Sequence, residues 1–484
     1  MPLNGTTPGV YIQEQSAFPN SVVQVETAVP AFIGYTPQVN QKAGAKLFEP
    51  LLITSMGDFL YYFGYPANPG TGKMSPQYVP EYYLTQLKKA PDKGQSYPLN
   101  GVLYAIEPDP ATVWYLYASL LLFFENGGQK AYVVSVGTYG PPSKAPIQPG
   151  APLVNPNVKL AELQQGLESL KMETSVTMYV FPEATLLTVA ENGTLMETAL
   201  LLCEEMQTAM AIFDVIGARN PDPVLWEQDI QTFRENTGTN GLSYGAAYYP
   251  FLKTTVFTAD QVTVANVQGD TTPLKDPATQ KQILAIIQEQ MNVLPPSGVV
   301  AGIYTLTDAQ VGVWQAPANV APIGVSGLTK LLSDDEQSGL NVDAIGGKSI
   351  NAFRSFAGRG ILVWGARTLD GNSQDWRYIS VRRTVTMIEQ SAQLAVKAYV
   401  FQPNEPFTWA AIKGILENFL NTVWQAGGLQ GASPGDAYSV QIGIGSTMTE
   451  QDVLDGYLRV TLLVAITQPA EFIVITLEQE MARS

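Results

Sequence analysis

Apolar and polar positions along the last third of the chain follow legible rhythms. In PFTWAAIKGILENFLNTVWQAGG, Trp409, Ile412, Leu416, Phe419 and Val423 recur in steps of three and four, which predicts a helix with one buried face. Pro406 suits its first turn and Gly427-Gly428 its end. Residues 378–397 carry a second helical pattern, with Val385, Ile388 and Ala392 near one face, and RGILVWGAR reads as a strand. DAYSVQIGIGS alternates Tyr438, Val440, Ile442 and Ile444, a strand buried on one face. GYLRVTLLVAITQ and EFIVITLEQ are apolar at both parities, which predicts cover on both faces. The last of these leaves a terminal strand whose unpaired backbone groups invite another chain.

Upstream the rhythm changes. Leu160, Leu163, Leu167 and Leu170 step along one helix face. SVTMYVFP, AIFDVIG, SYGAAYYP and KTTVFT read as strands, and residues 195–210 and PATQKQILAIIQEQM as helices. Alternating helix and strand predicts a layered α/β domain. VWYLYASLLLFF, stopped by Glu125-Asn126-Gly127-Gly128, predicts a buried helix. It is too short for a membrane span of about 20 residues. YYFGYPANPGTGKMSPQYVPEYY reads as an aromatic-rich surface loop, KAYVVSVGTYG as a strand, and GPPSKAPIQPGAPLVNPN as a linker. The first 36 residues are extended: TTPGVYIQEQ gives a short β-prone unit, and Val23 and Val25 alternate with polar neighbours until Pro30 breaks the pattern. The expected fold is a multidomain α/β and α+β chain. Its parts are an extended arm and strand at 1–36, a mixed β-rich insertion at 37–150, a layered α/β domain at 151–359 and an α+β domain at 360–484.

Composition narrows the chemistry. The 484 residues include no histidine and one cysteine, Cys203. Histidine-based nucleophile systems, His-ligated zinc and an intrachain disulfide are therefore excluded. Cys203 sits in LLCEE and reads as a buried structural thiol. The net charge of −16 argues against nonspecific nucleic-acid binding, which needs clustered Lys and Arg. The first residues lack a basic segment followed by an apolar block, so no signal peptide is expected.

Four further features offer chemistry. Gly346-Gly347-Lys348-Ser349 resembles the end of a phosphate loop, but Val342 stands where the loop needs its first glycine. Asp334-Asp335-Glu336 lacks the calcium-loop alternation and reads as a helix start capped by Ser333. Arg354, Arg359, Arg367, Arg377, Arg382 and Arg383 read equally as a charge-complementary interface or as ordinary surface and helix-flank residues. Glu14, Glu26 and the other carboxylates could supply a two-carboxylate hydrolase, but no spacing selects a pair. No cofactor or metal is expected.

Motifs at both ends resemble contractile tail sheath proteins. They are TPGVYIQEQ with SVVQVETAVPAFIGYT, then LPPSGVVAGIYTLTDAQVGVWQAPANV, GRGILVWGARTL, WRYISVRRTVTMIEQS, VFQPNEPFTWAAIKGILENFLNTVWQAGGLQGASPGDAYSV and TQPAEFIVITLEQ. The likeness covers roughly the last 190 residues and the first 36, in order. It implies a non-enzymatic subunit that stacks as hexameric rings around an inner tube and contracts to drive the tube through a target envelope. Baseplate and terminal cap proteins are implied at the ends, with no direct nucleic-acid binding and no membrane insertion. Assembly is implied in the bacterial cytoplasm, as part of a phage tail or a phage tail-like particle. The single-chain layout argues against a two-component sheath, and the modest length suggests an injection particle or simple phage tail. In the family the middle domain is described as subtilisin-like, but without histidine no such protease chemistry survives.

The resemblance also implies strand exchange. Val10, Tyr11 and Ile12 at one end, and Glu471, Phe472, Ile473, Val474, Ile475 and Leu477 at the other, would complete the sheet of a neighbour's C-terminal domain, with hinges near Pro30 and Pro469. Lys397, Trp409, Lys413 and Asn418 are the candidates for facing the tube. A non-contractile scaffold and a histidine-free hydrolase are the competing readings.

Overall fold

A computed structural model describes residues 21–64 and 79–471. Its centre is an eight-stranded sheet in the order Gly360–Trp364, Asn351–Phe356, Gly245–Tyr249, Met210–Asp214, Met178–Val180, Pro30–Thr36, Ala131–Thr138, Leu51–Ile53. The six inner strands run parallel, and the two edge strands are antiparallel to their neighbours. Pro30, expected to end an extended segment, instead begins the central strand, whose seven residues are all buried. A proline fits a strand's first position, where its missing N–H costs least.

Alternation along that strand sends side chains to both faces. Phe32 meets Phe123 of the helix Leu116–Glu125 edge to face at 5.4 Å. Ile33 points the other way, to the helix Leu160–Glu168, where a Cβ on Gly166 would lie 2.9 Å from its Cγ2. The sheet is therefore covered on both faces, as near-continuous apolar strands require. Leu116–Glu125 also packs on Ser297–Gln310. Gly298 and Gly302 allow this approach, since a Cβ on either would stand 2.4 or 2.6 Å from the Ser119 or Phe123 carbonyl oxygen. Cys203 is fully buried, as expected, in the helix Val189–Met206.

Several elements differ from their sequence pattern. The helix expected at 195–210 begins at Val189, because Thr188 and Glu191 form a capping box, and ends at Met206 before a left-handed Gln207. KTTVFT contributes only Lys253 and Thr254 to a strand, Leu252–Thr254. The proline-rich stretch expected as a linker lacks helix and strand but is tied down. The buried Asp109 carboxylate accepts from the Ser143 and Lys144 N–H groups at 3.2 and 2.7 Å. Pro277–Met291 and Pro406–Gln425 form the helices their patterns predict.

The chain divides into two compact units. Among the described residues the larger comprises 26–64, 79–386 and 468–471, the smaller 21–25 and 387–467. In the smaller unit the helix Pro406–Gln425 packs Ile412, Leu416, Phe419 and Val423 inward and lies on the strand Tyr438–Ile442. That strand pairs antiparallel with Val460–Val464, from Tyr438 opposite Val464 to Ile442 opposite Val460.

Candidate assembly interface

The ribbon of Tyr438–Ile442 and Val460–Val464 is a sheet of two strands, and no third strand joins it among the described residues. An isolated bridge from Leu429 to Ile466 continues beyond one end. Cover on both faces was expected for Val460–Val464, but none of its five residues is buried and Leu463 is 52% exposed. The helix Pro406–Gln425 supplies the cover that a two-stranded ribbon needs, and it is the ribbon's edges that stay open among the described residues. Those edges present backbone groups of the kind that accept an added strand.

The residues expected to be added are largely beyond view. Val10, Tyr11, Ile12, Phe472, Ile473, Val474, Ile475 and Leu477 lie outside the described residues. Glu471 is described, and it is held. Its carboxylate receives Arg367 Nε at 2.9 and 3.1 Å, Arg367 Nη2 at 2.6 Å, Asn341 Nδ2 at 2.8 Å and the Tyr378 hydroxyl at 3.3 Å. The Arg367 side chain is 5% exposed and that of Glu471 20%. Burial alone would raise the Glu471 carboxyl. Hydrogen bonds from Arg367 and Asn341 outweigh it and hold the group below the ordinary carboxylate range. Arg367 is itself positioned by Asn351, which accepts from its N–H and donates to its carbonyl oxygen, both at 2.8 Å.

Of the other arginines Arg382 and Arg383 are buried, Arg354 and Arg377 are half-buried, with Arg377 donating to the Ser373 carbonyl, and Arg359 is exposed. Arg383 forks onto Asp308 at 3.0 and 2.6 Å and donates to the Thr27 carbonyl at 2.9 Å. Arg382 lies over Trp376 and Tyr244 at 4.2 and 4.6 Å. Arg354 pairs with Asp334, and Arg359 bonds Asn319. Ser333 caps its helix through a capping box, as the acidic run suggested. Lys348 of the glycine-lysine motif donates to the Arg234 carbonyl, while Asp343 accepts from the N–H groups of Ile345, Gly346 and Lys348. That turn is closed on itself, not open to a phosphate.

The four tube-facing candidates lie in the smaller unit. Lys397 is exposed at the end of the helix Ile379–Lys397. Lys413 is exposed and 3.7 Å from Glu417. Trp409 is half-buried and donates to Asn404 Oδ1 at 2.7 Å. Asn418 is exposed and lines a shallow depression with Glu417, Asn421, Pro434 and Tyr438. On this helix Asn418 lies on the same side as the exposed Phe407, 81% accessible, while Lys413 lies roughly a third of a turn away from both.

Buried carboxylates, the raw material of acid–base chemistry, are spent on structure. Glu183, just past Met178–Val180, accepts on Oε1 from the N–H groups of Tyr115 and Leu116 at 3.1 and 2.8 Å. Asp214, at the end of its strand, accepts from the Ser297 N–H at 2.8 Å. Burial pushes Glu183 and Asp214 each up to about 7, against the pull of those N–H groups. Each satisfies the start of a helix, where backbone donors lack partners. Among the described residues no three of Cys, Asp and Glu stand together as metal ligands, and no helix is long and apolar enough to cross a membrane.

An α/β core together with a helix-and-ribbon domain is similar to the subunits of contractile sheaths. Over 98% of both chains, the fold matches the sheath complex of the extracellular contractile injection system PVC in its contracted state, at 26% identity and a TM-score of 0.63. The contracted helical sheath of the anti-feeding prophage AFP matches 98% of this chain and 99% of its own at 25% identity, with a TM-score of 0.62. Residues 372–480 match the phage tail sheath C-terminal domain. The tail sheath protein of Vibrio phage KVP40 is 26% identical over 136 residues, 28% of this chain. That match takes in only 20% of the phage protein's length. The resemblance read from the motifs holds, and so does the mixed α/β and α+β class.

Proposed function

We propose that the chain is the structural subunit of a contractile sheath, polymerising as stacked hexameric rings around an inner tube and contracting to drive that tube through a target envelope. The observation that carries this reading is the likeness to a sheath subunit over 98% of both chains. The open ribbon of the smaller unit supports it, because an added strand would satisfy its edges. In this reading Val10–Ile12 and residues 471–477 of neighbours supply those strands, and each backbone hydrogen bond contributes about 0.5–1.5 kcal/mol net. The helix Pro406–Gln425 faces the tube through Lys413 and Asn418, with Lys397 nearby in sequence. Baseplate and cap proteins close the ends, assembly takes place in the bacterial cytoplasm, and the chain performs no catalysis. Contraction is a switch between two packings of the same subunits, with its energy stored at assembly.

Electron microscopy of particles formed with the tube protein tests this. Long and short states of one particle type are expected. Tubes of a single fixed length per subunit, before and after a contraction stimulus such as acid or denaturant, would favour a static scaffold instead.

A further inference from the structure

The chain crosses between its two units three times, after Val25, after Thr386 and after Thr467. Each crossing is pinned on the larger unit within four residues. At the first, the Thr27 hydroxyl donates to Asp308 Oδ2 at 2.6 Å and the Thr27 carbonyl accepts from Arg383. At the second, Arg383 itself, three residues before the crossing, forks onto Asp308 with both side chains at most 6% exposed. At the third, Glu471 is forked by Arg367 and bonded by Asn341 and Tyr378. Two Arg–carboxylate forks, that of Arg383 buried on both sides, therefore stand at all three crossings, and at the first Lys130 also pairs with Glu26 at 2.6 Å.

Such pairs are a costly choice for stability alone, since apolar packing often does as well. What a bidentate fork adds is a fixed direction and position. We propose that Arg383–Asp308 and Arg367–Glu471 are anchors that hold residues 26–27, the end of the segment before Thr386 and residues 468–471 in place on the larger unit. Force carried between subunits by the arms is thereby delivered to the large sheet rather than stretching the segments between. The mechanical role rests on the sheath reading; the anchoring itself does not.

Two measurements separate these. In the isolated subunit, a nitroxide is placed on Gln468→Cys, an exposed position, and in a second protein on Glu26→Cys, the native thiol being buried. Both labels should give broad, immobilised spectra. Glu471→Gln should narrow only the label at 468, and Asp308→Asn only the label at 26. Unchanged line shapes would overturn the anchors even if sheaths assemble normally. In assembled tubes, Glu471→Gln should lower the guanidinium concentration at which tubes dissociate. The charge-swapped chain Arg367→Glu/Glu471→Arg should recover the loss, and a mixture of the two single variants should not. Recovery by the mixture would place the pair between copies and overturn the inference. Absence of tubes from the unaltered chain would instead count against the sheath reading, leaving the spectra to decide on anchoring.

Discussion

Glu183 and Asp214 carry a pH dependence that follows from where they sit. Both carboxyls are raised to about 7 by burial, so between their ordinary range and about 7 the folded chain holds protons that the unfolded chain has released. Stability from these groups is therefore greatest at low pH and declines as pH rises through that window. A rise from the ordinary value to about 7 corresponds to roughly 3 kcal/mol for Glu183 and roughly 4 kcal/mol for Asp214. Glu183→Gln keeps a carbonyl oxygen for the Tyr115 and Leu116 N–H groups and removes the proton. Melting temperatures of the variant minus wild type, measured from pH 5 to pH 8, should rise up to about pH 7 and then level off. A flat difference would mean that Glu183 ionises at its ordinary value. Glu471 runs in the opposite sense. Its carboxyl is lowered, so its contribution is present above the ordinary range and is lost as pH falls. None of these roles was legible in the sequence. Arg367 finds its partner 104 positions away and Glu183 finds Leu116 67 positions away, and no local spacing encodes such distances.

At the scale of elements, local chemistry decided what could be read. Pro277–Met291 begins at an Asp276 cap and Pro406–Gln425 carries proline in its first turn, so pattern and boundary agree. Val189–Met206 began earlier than its apolar run because its capping box precedes that run. The ribbon strand Val460–Val464 read as covered on both faces because its composition is that of a buried strand, yet within one subunit it is half-exposed. That disagreement is informative, since a buried composition on an open strand is what an intersubunit sheet requires. Deleting residues 1–15, or ending the chain at Pro469, removes one proposed donor strand while leaving the ribbon, the second truncation also removing Glu471 from Arg367. Each truncation should give soluble, folded subunits and no tubes by electron microscopy. Normal tubes from either would remove strand exchange as the link between neighbours.

At the scale of the whole molecule, charge and contact pull against each other. Subunits of net charge −16 repel when stacked, and the repulsion is screened within about 10 Å at 0.1 M salt. Apolar strand pairing is not weakened by salt in this way. The subunit concentration needed for self-assembly should therefore fall as ionic strength rises. A tube contact made by Lys413 has the opposite sign, because salt screens attraction as well as repulsion. Lys413 is exposed and only loosely engaged with Glu417 at 3.7 Å, so its charge is available to a partner. Lys413→Glu should lower the fraction of tube protein recovered with sheath in pelleting assays, most clearly at low salt, while sheath self-assembly stays intact. If tube recovery at low salt is unchanged, this helix does not meet the tube through Lys413. If self-assembly is lost with it, the residue lies between sheath subunits, and the opposite salt responses tell these outcomes apart.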